Sequence, residues 1–170
     1  MINEILNDKS KKPKEKTALL SSAVLDGTIS VDTLLAFAET AKDSPKATCI
    51  EALEFATQQK PELADKAAFN FVTANLSAKA PRVKWESAKV IGNTAALHAK
   101  RMDDAINKLL INTEDSGTVV RWSAAFALGE ILKLQTKHNK ELLPAIESIV
   151  AREEQNSIKK IYLAALKKVK

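Results

Sequence analysis

The amino-acid sequence predicts an all-α protein built from stacked pairs of helices, and three observations support this prediction. Apolar residues recur at spacings of three and four along almost all of the 170 residues, which is the period of an α-helix. Helix-breaking residues recur at regular intervals. A nine-residue pattern returns every 37 or 38 residues. The composition agrees, because 26 alanines favour helices and four glycines are too few for a turn-rich β-sandwich.

Capping and helix-breaking residues set the helix boundaries. Pro13 is tolerated in the first turn of the first helix, which ends at Gly27. Ser30 can cap the second helix, and Ser44 followed by Pro45 can open the third. Later prolines and the turn at residues 115–117 separate the rest. The predicted helices are 12–26, 31–42, 45–59, 61–78, 81–99, 102–112, 118–135, 140–152 and 157–169.

The repeated pattern is the strongest signal in the sequence. Four segments align without gaps, at residues 45–53, 83–91, 120–128 and 158–166. The eighth residue is Ala or Val in every copy, and the second is always basic: Lys46, Lys84, Arg121 and Lys159. Each copy follows another predicted helix, so the repeating unit is a helix pair. A single pair cannot bury its apolar stripe, whereas stacked pairs can.

The repeat therefore predicts a right-handed α-α superhelix, an α-solenoid, in one domain over residues 1–170. We expect about four helix pairs, at residues 30–59, 61–99, 102–135 and 140–169. The helix at 12–26 would cap the N-terminal end, and residues 1–11 would form a short basic arm.

Residues 120–129, Val-Arg-Trp-Ser-Ala-Ala-Phe-Ala-Leu-Gly, resemble the second helix of a HEAT repeat, of the short HEAT-like kind also seen in phycobilin lyases. Asp115 lies six residues before Arg121, similar to the family's pair of an acidic turn and a basic helix. Residues 83–92 match almost as well, although Ala78 stands where the acid would be. The resemblance covers most of residues 30–170. It implies that the second helix of each pair lines a concave face.

On that face, the third and seventh repeat positions are four residues apart and share one side of the helix. Both tryptophans of the chain occupy the third position, and tryptophan and arginine are enriched in binding hot spots. The candidate partner-binding residues are Trp85, Trp122, Phe126, Lys89, Lys84, Arg121, Lys160, Asn93 and Glu130.

Two alternatives remain open for these residues. Trp85 and Trp122 would be core residues if they fill gaps between helix layers, since aromatic residues at helical spacing commonly pack inside. The basic column would be structural if Arg121 and its equivalents pair with acids such as Asp115 and Glu153 within the protein.

The remaining titratable residues predict no catalytic or metal centre. Cys49 is the only cysteine, within a helical pattern, and is expected to be a small core residue. His98 and His138 lie at predicted helix ends, where a solvated imidazole is expected. The sequence contains no phosphate-binding glycine loop, zinc-protease motif or nucleophile elbow. We therefore expect no enzyme activity, no cofactor and no metal.

Two classes of function fit the predicted fold. In the first, a non-enzymatic scaffold holds a protein or peptide partner, with lysines favouring an acidic one. In the second, the chain binds nucleic acid, as HEAT-like alkylpurine DNA glycosylases do with a concave basic face. The essential acid of those enzymes is missing, because Lys89 and Phe126 lie four residues after the two tryptophans. The net charge of +5 is compatible with an anionic partner in either class.

No stretch is apolar enough for a signal peptide or a membrane span, so we expect a cytoplasmic protein without a membrane partner. The lysine-rich last helix would cap the C-terminal end of the stack, which predicts a monomer or a weak dimer.

Overall fold

The computed structural model describes all 170 residues and confirms the predicted all-α solenoid. Ten α-helices and three single 3₁₀ turns account for the regular structure, and there is no β-strand. The helices are α1 (Ile2–Asn7), α2 (Pro13–Leu25), α3 (Val31–Thr40), α4 (Asp43–Gln59), α5 (Lys66–Asn75), α6 (Pro81–Thr94), α7 (Asp103–Asn112), α8 (Thr118–Lys133), α9 (Asn139–Arg152) and α10 (Asn156–Val169). The last eight form four successive pairs.

Local capping explains where several helices begin and end. The Ser30 hydroxyl accepts a hydrogen bond from the Thr33 N–H, as expected of the cap of α3. Gly27 closes the turn after α2 with a φ of 83°, a conformation that glycine adopts without steric cost. Pro61 opens only a 3₁₀ turn, and α5 starts later, where Asp65 accepts a hydrogen bond from the Ala68 N–H.

Three boundaries differ from the expectation. Residues 1–11 are not an extended arm, because they include α1, in which Ile2 is buried against the rest of the protein. Ser44 is not the cap of α4, which begins one residue earlier at Asp43. The helix expected over residues 81–99 ends at Thr94 and continues as two 3₁₀ turns.

The helices form two rows with different packing. In the inner row, formed by α2, α4, α6, α8 and α10, each helix packs extensively on the next. In the outer row, formed by α3, α5, α7 and α9, neighbouring helices make far fewer contacts. A stack that is tight on one side and open on the other curves towards the tight side. The inner row therefore lines the concave surface, and α2 with the short α1 closes the N-terminal end.

Small residues allow the close approach within the inner row. The eighth repeat position is fully buried in the copies that carry alanine at Ala52 and Ala127, and nearly so at Ala165. A side chain added at Gly129 would meet the Cβ of Ala165 at 3.4 Å, so α8 and α10 are already in close contact. Cys49 is a core residue as expected, and burial raises the pKa of its thiol to about 12.

His98 corrects the expectation of a solvated imidazole. It lies between the two 3₁₀ turns after α6, is buried, and stacks on Phe69 with ring centroids 4.4 Å apart. Its Nε2 donates to the Ala64 carbonyl oxygen at 2.7 Å, and its Nδ1 accepts from Arg101 at 2.8 Å. The imidazole is therefore held in its neutral form, and burial is the main reason that its pKa is lowered.

No helix has both the length and the apolar character needed to cross a bilayer.

The histidines provide a test of this packing. Because the pKa of His98 is lower in the folded than in the unfolded chain, the unfolded chain binds the proton first as the pH falls. The stability from neutral His98 is full above pH 6.5 and is lost as the pH decreases towards the folded pKa. We expect the free energy of unfolding to fall from pH 7.5 to 5.5 through this residue.

Urea denaturation of His98→Gln should show a flatter pH dependence over that range. A pH dependence in His98→Gln equal to that of the wild type would contradict the assignment.

Candidate functional site

All nine candidate residues lie on α6, α8 and α10, three consecutive helices of the inner row. Apart from Lys84 and Arg121, the residues of α6 and α8 are four apart and therefore share one side of each helix. On α10, Lys160 occupies the same repeat position as the two tryptophans. We call this surface the inner wall and define it by Trp85, Lys89, Asn93, Trp122, Phe126, Glu130 and Lys160.

Trp122 and Phe126 form an exposed aromatic pair on α8. The Trp122 residue is 38% exposed, and Phe126 is half-buried beside it. Their rings are nearly parallel, with centroids 6.1 Å apart and an angle of 11° between the planes. The alternative that Trp122 is a core residue is therefore wrong. The structure places it at the surface of the inner wall.

Trp85 lies between the two alternatives. Its side chain is half-buried, and its Nε1 donates a hydrogen bond to Oε1 of Glu86 at 2.8 Å. The ring is therefore fixed in orientation by its neighbour on the same helix. Trp85 is therefore part of the inner wall but is less exposed than Trp122.

Lys89 lies over two buried carboxylates that the sequence did not single out. Its Nζ is 3.1 Å from Oε2 of Glu86 and 3.9 Å from Oε2 of Glu54. Both acids are 3% exposed, and burial is the main reason that the pKa of Glu86 is raised. The only available signal was an unusual acid in the aligned repeats. The other copies hold Thr, Ser or Ile at the position of Glu86, and Gly or Lys at the position of Glu54. The Lys89 ammonium is therefore already paired with acids of the same chain.

Asn93 and Glu130 also make contacts within the chain. The Asn93 Nδ2 donates to the Glu54 carbonyl oxygen at 3.1 Å and to Oγ1 of Thr57 at 3.3 Å, which ties α6 to α4. Glu130 forms an ion pair with Lys133 one turn later on α8.

Lys84 and Arg121 form a ladder of ion pairs between successive helix pairs, as the structural alternative predicted. The Nζ of Lys84 is 2.9 Å from Oδ2 of Asp115, and Nε of Arg121 donates to Oε2 of Glu153 at 3.1 Å. Arg121 also donates to the Asp115 carbonyl oxygen at 3.0 Å. These two cations are neutralised at the edge of the stack and are not free on the inner wall.

The ladder also sets the charge state of its acids. Burial favours the neutral form of Glu153, but hydrogen bonds from the Gln155 N–H and from Arg121 outweigh it, so the pKa of this carboxyl is lowered. The same balance lowers the pKa of Asp115, where Lys84 and the Gly117 N–H donate. Both acids are therefore ionised at neutral pH. A further rung, Arg82 to Glu51 at 2.7 Å, was not expected from the sequence.

Lys160 differs from the other candidate cations. It is exposed and has no carboxylate within 4.0 Å, and the same holds for Lys167 and Lys168 further along α10. The C-terminal side of the inner wall therefore carries uncompensated positive charge.

Phe55 was missed by the sequence reasoning. It is 38% exposed and occupies the repeat position of Asn93 and Glu130 on the preceding inner helix, α4. The signal was present in the aligned repeats, four residues after Glu51 on the same side of the helix. It extends the apolar part of the inner wall towards the N-terminal end.

The structure contains no group of three or more His, Cys, Asp or Glu side chains arranged to hold a metal ion.

The ladder predicts an asymmetric response to two substitutions at the same repeat position. Arg121→Ala leaves the Glu153 side chain, which is 6% exposed, without its charge partner. We expect the free energy of unfolding to fall by about 1–3 kcal/mol. Lys159→Ala removes a cation with no carboxylate partner and should change stability by less than about 0.5 kcal/mol. Urea denaturation measures both, and equal effects would contradict the ladder.

Comparison with known proteins gives the fold a context. No protein-family model matches the chain, and no curated protein matches it. Among solved structures, a designed armadillo repeat protein in complex with peptide (KR)4 superposes with a TM-score of 0.76 at 15% identity, covering 99% of this chain and 80% of the other.

Two further structures show the same likeness. A computationally designed armadillo repeat protein for modular peptide recognition gives a TM-score of 0.76 at 17% identity, covering 98% of this chain and 80% of that one. A chain in the structure of the complex of CpcE and CpcF of phycocyanin lyase from Nostoc sp. PCC7120 gives a TM-score of 0.70 at 17% identity, covering 97% of this chain and 97% of that one. The chain therefore has the fold of the armadillo and HEAT-like repeat solenoids.

Proposed function

We propose that the chain is a non-enzymatic binding module that holds a protein or peptide partner on its inner wall. The observation that carries the proposal is the aromatic pair on α8, in which Trp122 is 38% exposed and stacks on Phe126. When a partner covers an exposed indole, a large apolar area is removed from water, and this burial stabilises the complex.

The energetics of interfaces favour this use of the pair. Tryptophan is enriched among the few residues that carry most of the binding free energy, and such residues lie near the centre of an interface. Trp122 has this position, between α6 and α10 on the wall. The stack against Phe126 also restricts the ring before a partner arrives, which lowers the entropy lost on binding.

The free cations of α10 favour an acidic partner. Lys160, Lys167 and Lys168 have no carboxylate partner, and unpaired charge at the rim of an interface speeds association with a partner of opposite sign. Lys84, Lys89 and Arg121 contribute less than the sequence suggested, since each is already paired.

The structural neighbours support a scaffold role at the level of the fold. Two of them are designed for or bound to peptides, and the third is a complex of two subunits. The peptide (KR)4 of one neighbour is basic, so the acidic preference proposed here rests on the charges of this chain alone.

The ion-pair ladder weighs against nucleic acid as the partner. Binding to the phosphate backbone depends on several cations that are free to replace counterions. Two of the candidate cations, Lys84 and Arg121, are held by Asp115 and Glu153 instead.

A peptide-display library panned on the wild-type chain tests the proposal. For the selected peptides, the double variant Trp122→Ala, Phe126→Ala should weaken binding at least about tenfold, with unchanged far-UV helicity. Ile111→Ala is the matched control, because Ile111 is 71% exposed but lies on α7 in the outer row.

Selected peptides that bind the double variant as well as the wild type would contradict the proposal. Loss of helicity in the double variant would also contradict it, because it would show that the pair is needed for folding.

A further inference from the structure

Phe126 rests on a helix surface that has no side chain beneath it. A Cβ built at Gly92 of α6 would lie 2.4 Å from Cε1 and 2.8 Å from Cδ1 of Phe126, closer than carbon atoms can approach. The ring therefore lies directly against the backbone of α6. Gly129, at the same repeat position of α8, shows no such contact, since its nearest neighbour would be the Ala165 Cβ at 3.4 Å.

The contact at Gly92 determines the geometry of the whole aromatic pair. Phe126 cannot sink further, because it already touches backbone, and Trp122 stacks on it at only 11° from parallel. The backbone of α6 thus supports the Phe126 ring from below, and Trp122 lies nearly parallel to that ring and is exposed. We call Gly92, Phe126 and Trp122 the aromatic platform.

An unpaired cation lies on the helix next to the platform. On α6 and α8 the neighbouring charged groups are already engaged, because Lys89 contacts Glu86 and Glu54 and Glu130 pairs with Lys133. Lys160 holds the repeat position of Trp122 on the adjacent helix α10 and is exposed without a partner. An unpaired ammonium therefore lies on the inner helix next to the aromatic pair.

We propose that the aromatic platform receives a planar aromatic side chain from the partner, next to a carboxylate that pairs with Lys160. This proposal rests on the proposed function and specifies the chemistry that the inner wall recognises. The exposed Trp122 ring favours another planar ring over a branched aliphatic side chain, because stacking adds attraction beyond the buried area. Lys160 then selects a segment of the Asp-Phe or Glu-Tyr type.

The first experiment needs no partner. In a ¹⁵N-labelled chain the two indole N–H resonances are assigned with Trp85→Phe. Gly92→Ala should displace the Phe126 ring and shift the Trp122 indole resonance, whereas the matched variant Gly129→Ala should leave that resonance in place. An unshifted resonance in Gly92→Ala would overturn the platform.

The second experiment uses short tryptophan-free peptides as probes, acetyl-Gly-Asp-Phe-Gly-amide and its Asp-Leu and Lys-Phe counterparts. Titration followed at the Trp122 indole resonance should give the tightest binding for Asp-Phe, roughly two- to tenfold tighter than for Asp-Leu. Lys-Phe should bind most weakly. Equal affinities for the three peptides would overturn the proposal.

Variants then separate the contributions of the ring and the charge. Phe126→Leu removes the aromatic ring but keeps an apolar side chain against Gly92, and it should abolish the preference for Phe over Leu. This variant keeps the proposal testable if Gly92→Ala folds poorly. Lys160→Glu should reverse the preference between Asp-Phe and Lys-Phe. The matched variant Lys159→Glu, with the same change in net charge, should not.

These outcomes are distinguishable from a failure of the proposed function. If display-selected peptides require Trp122 but show no preference for an aromatic residue beside an acid, the binding module stands and the platform proposal is overturned. If neither selected nor designed peptides respond to the loss of Trp122, the binding module itself is overturned.

Discussion

The close packing of the inner row of helices is the constraint on which the rest of the structure depends. Ala52, Ala127 and Gly129 remove side-chain volume where successive inner helices meet, so their backbones approach closely. The outer helices are held further apart, and the stack curves towards the inner row. Large inner-row side chains such as Ile91 and Tyr162 are buried in the core, whereas Trp122 is exposed on the inner wall.

The same close packing separates two kinds of charged residue. At the edge of the stack, successive pairs come near enough for Arg121 to reach Glu153 and for Lys84 to reach Asp115. Those cations stabilise the stack, and because they are already paired they contribute less to the binding of a partner. On α10, which has no following inner helix, Lys160 has no carboxylate partner. The inner row thus carries paired cations at the edge of the stack and an unpaired one on the inner wall.

The fold could be predicted from the sequence because the same residue pattern recurs in every repeat. The regular spacing of its last residue (Leu53, Ile91, Leu128 and Leu166) indicates stacked helix pairs even where a single helix end is misplaced. The site was less predictable. Trp85 and Trp122 share a repeat position but differ in exposure, and the role of Gly92 depends on the Phe126 ring of the next repeat. A single repeat reveals neither. His98 was misjudged because its burial comes from Phe69 and Ala64, far away in the sequence.

The central claim is that the curved inner row leaves Trp122 open to solvent while Trp85 is partly covered. Acrylamide quenching of tryptophan fluorescence tests it directly, because each ring can be observed alone in Trp85→Phe and in Trp122→Phe. The account predicts markedly stronger quenching in Trp85→Phe, where only Trp122 emits. Weak and equal quenching in the two variants would place both rings beneath neighbouring side chains and contradict the account.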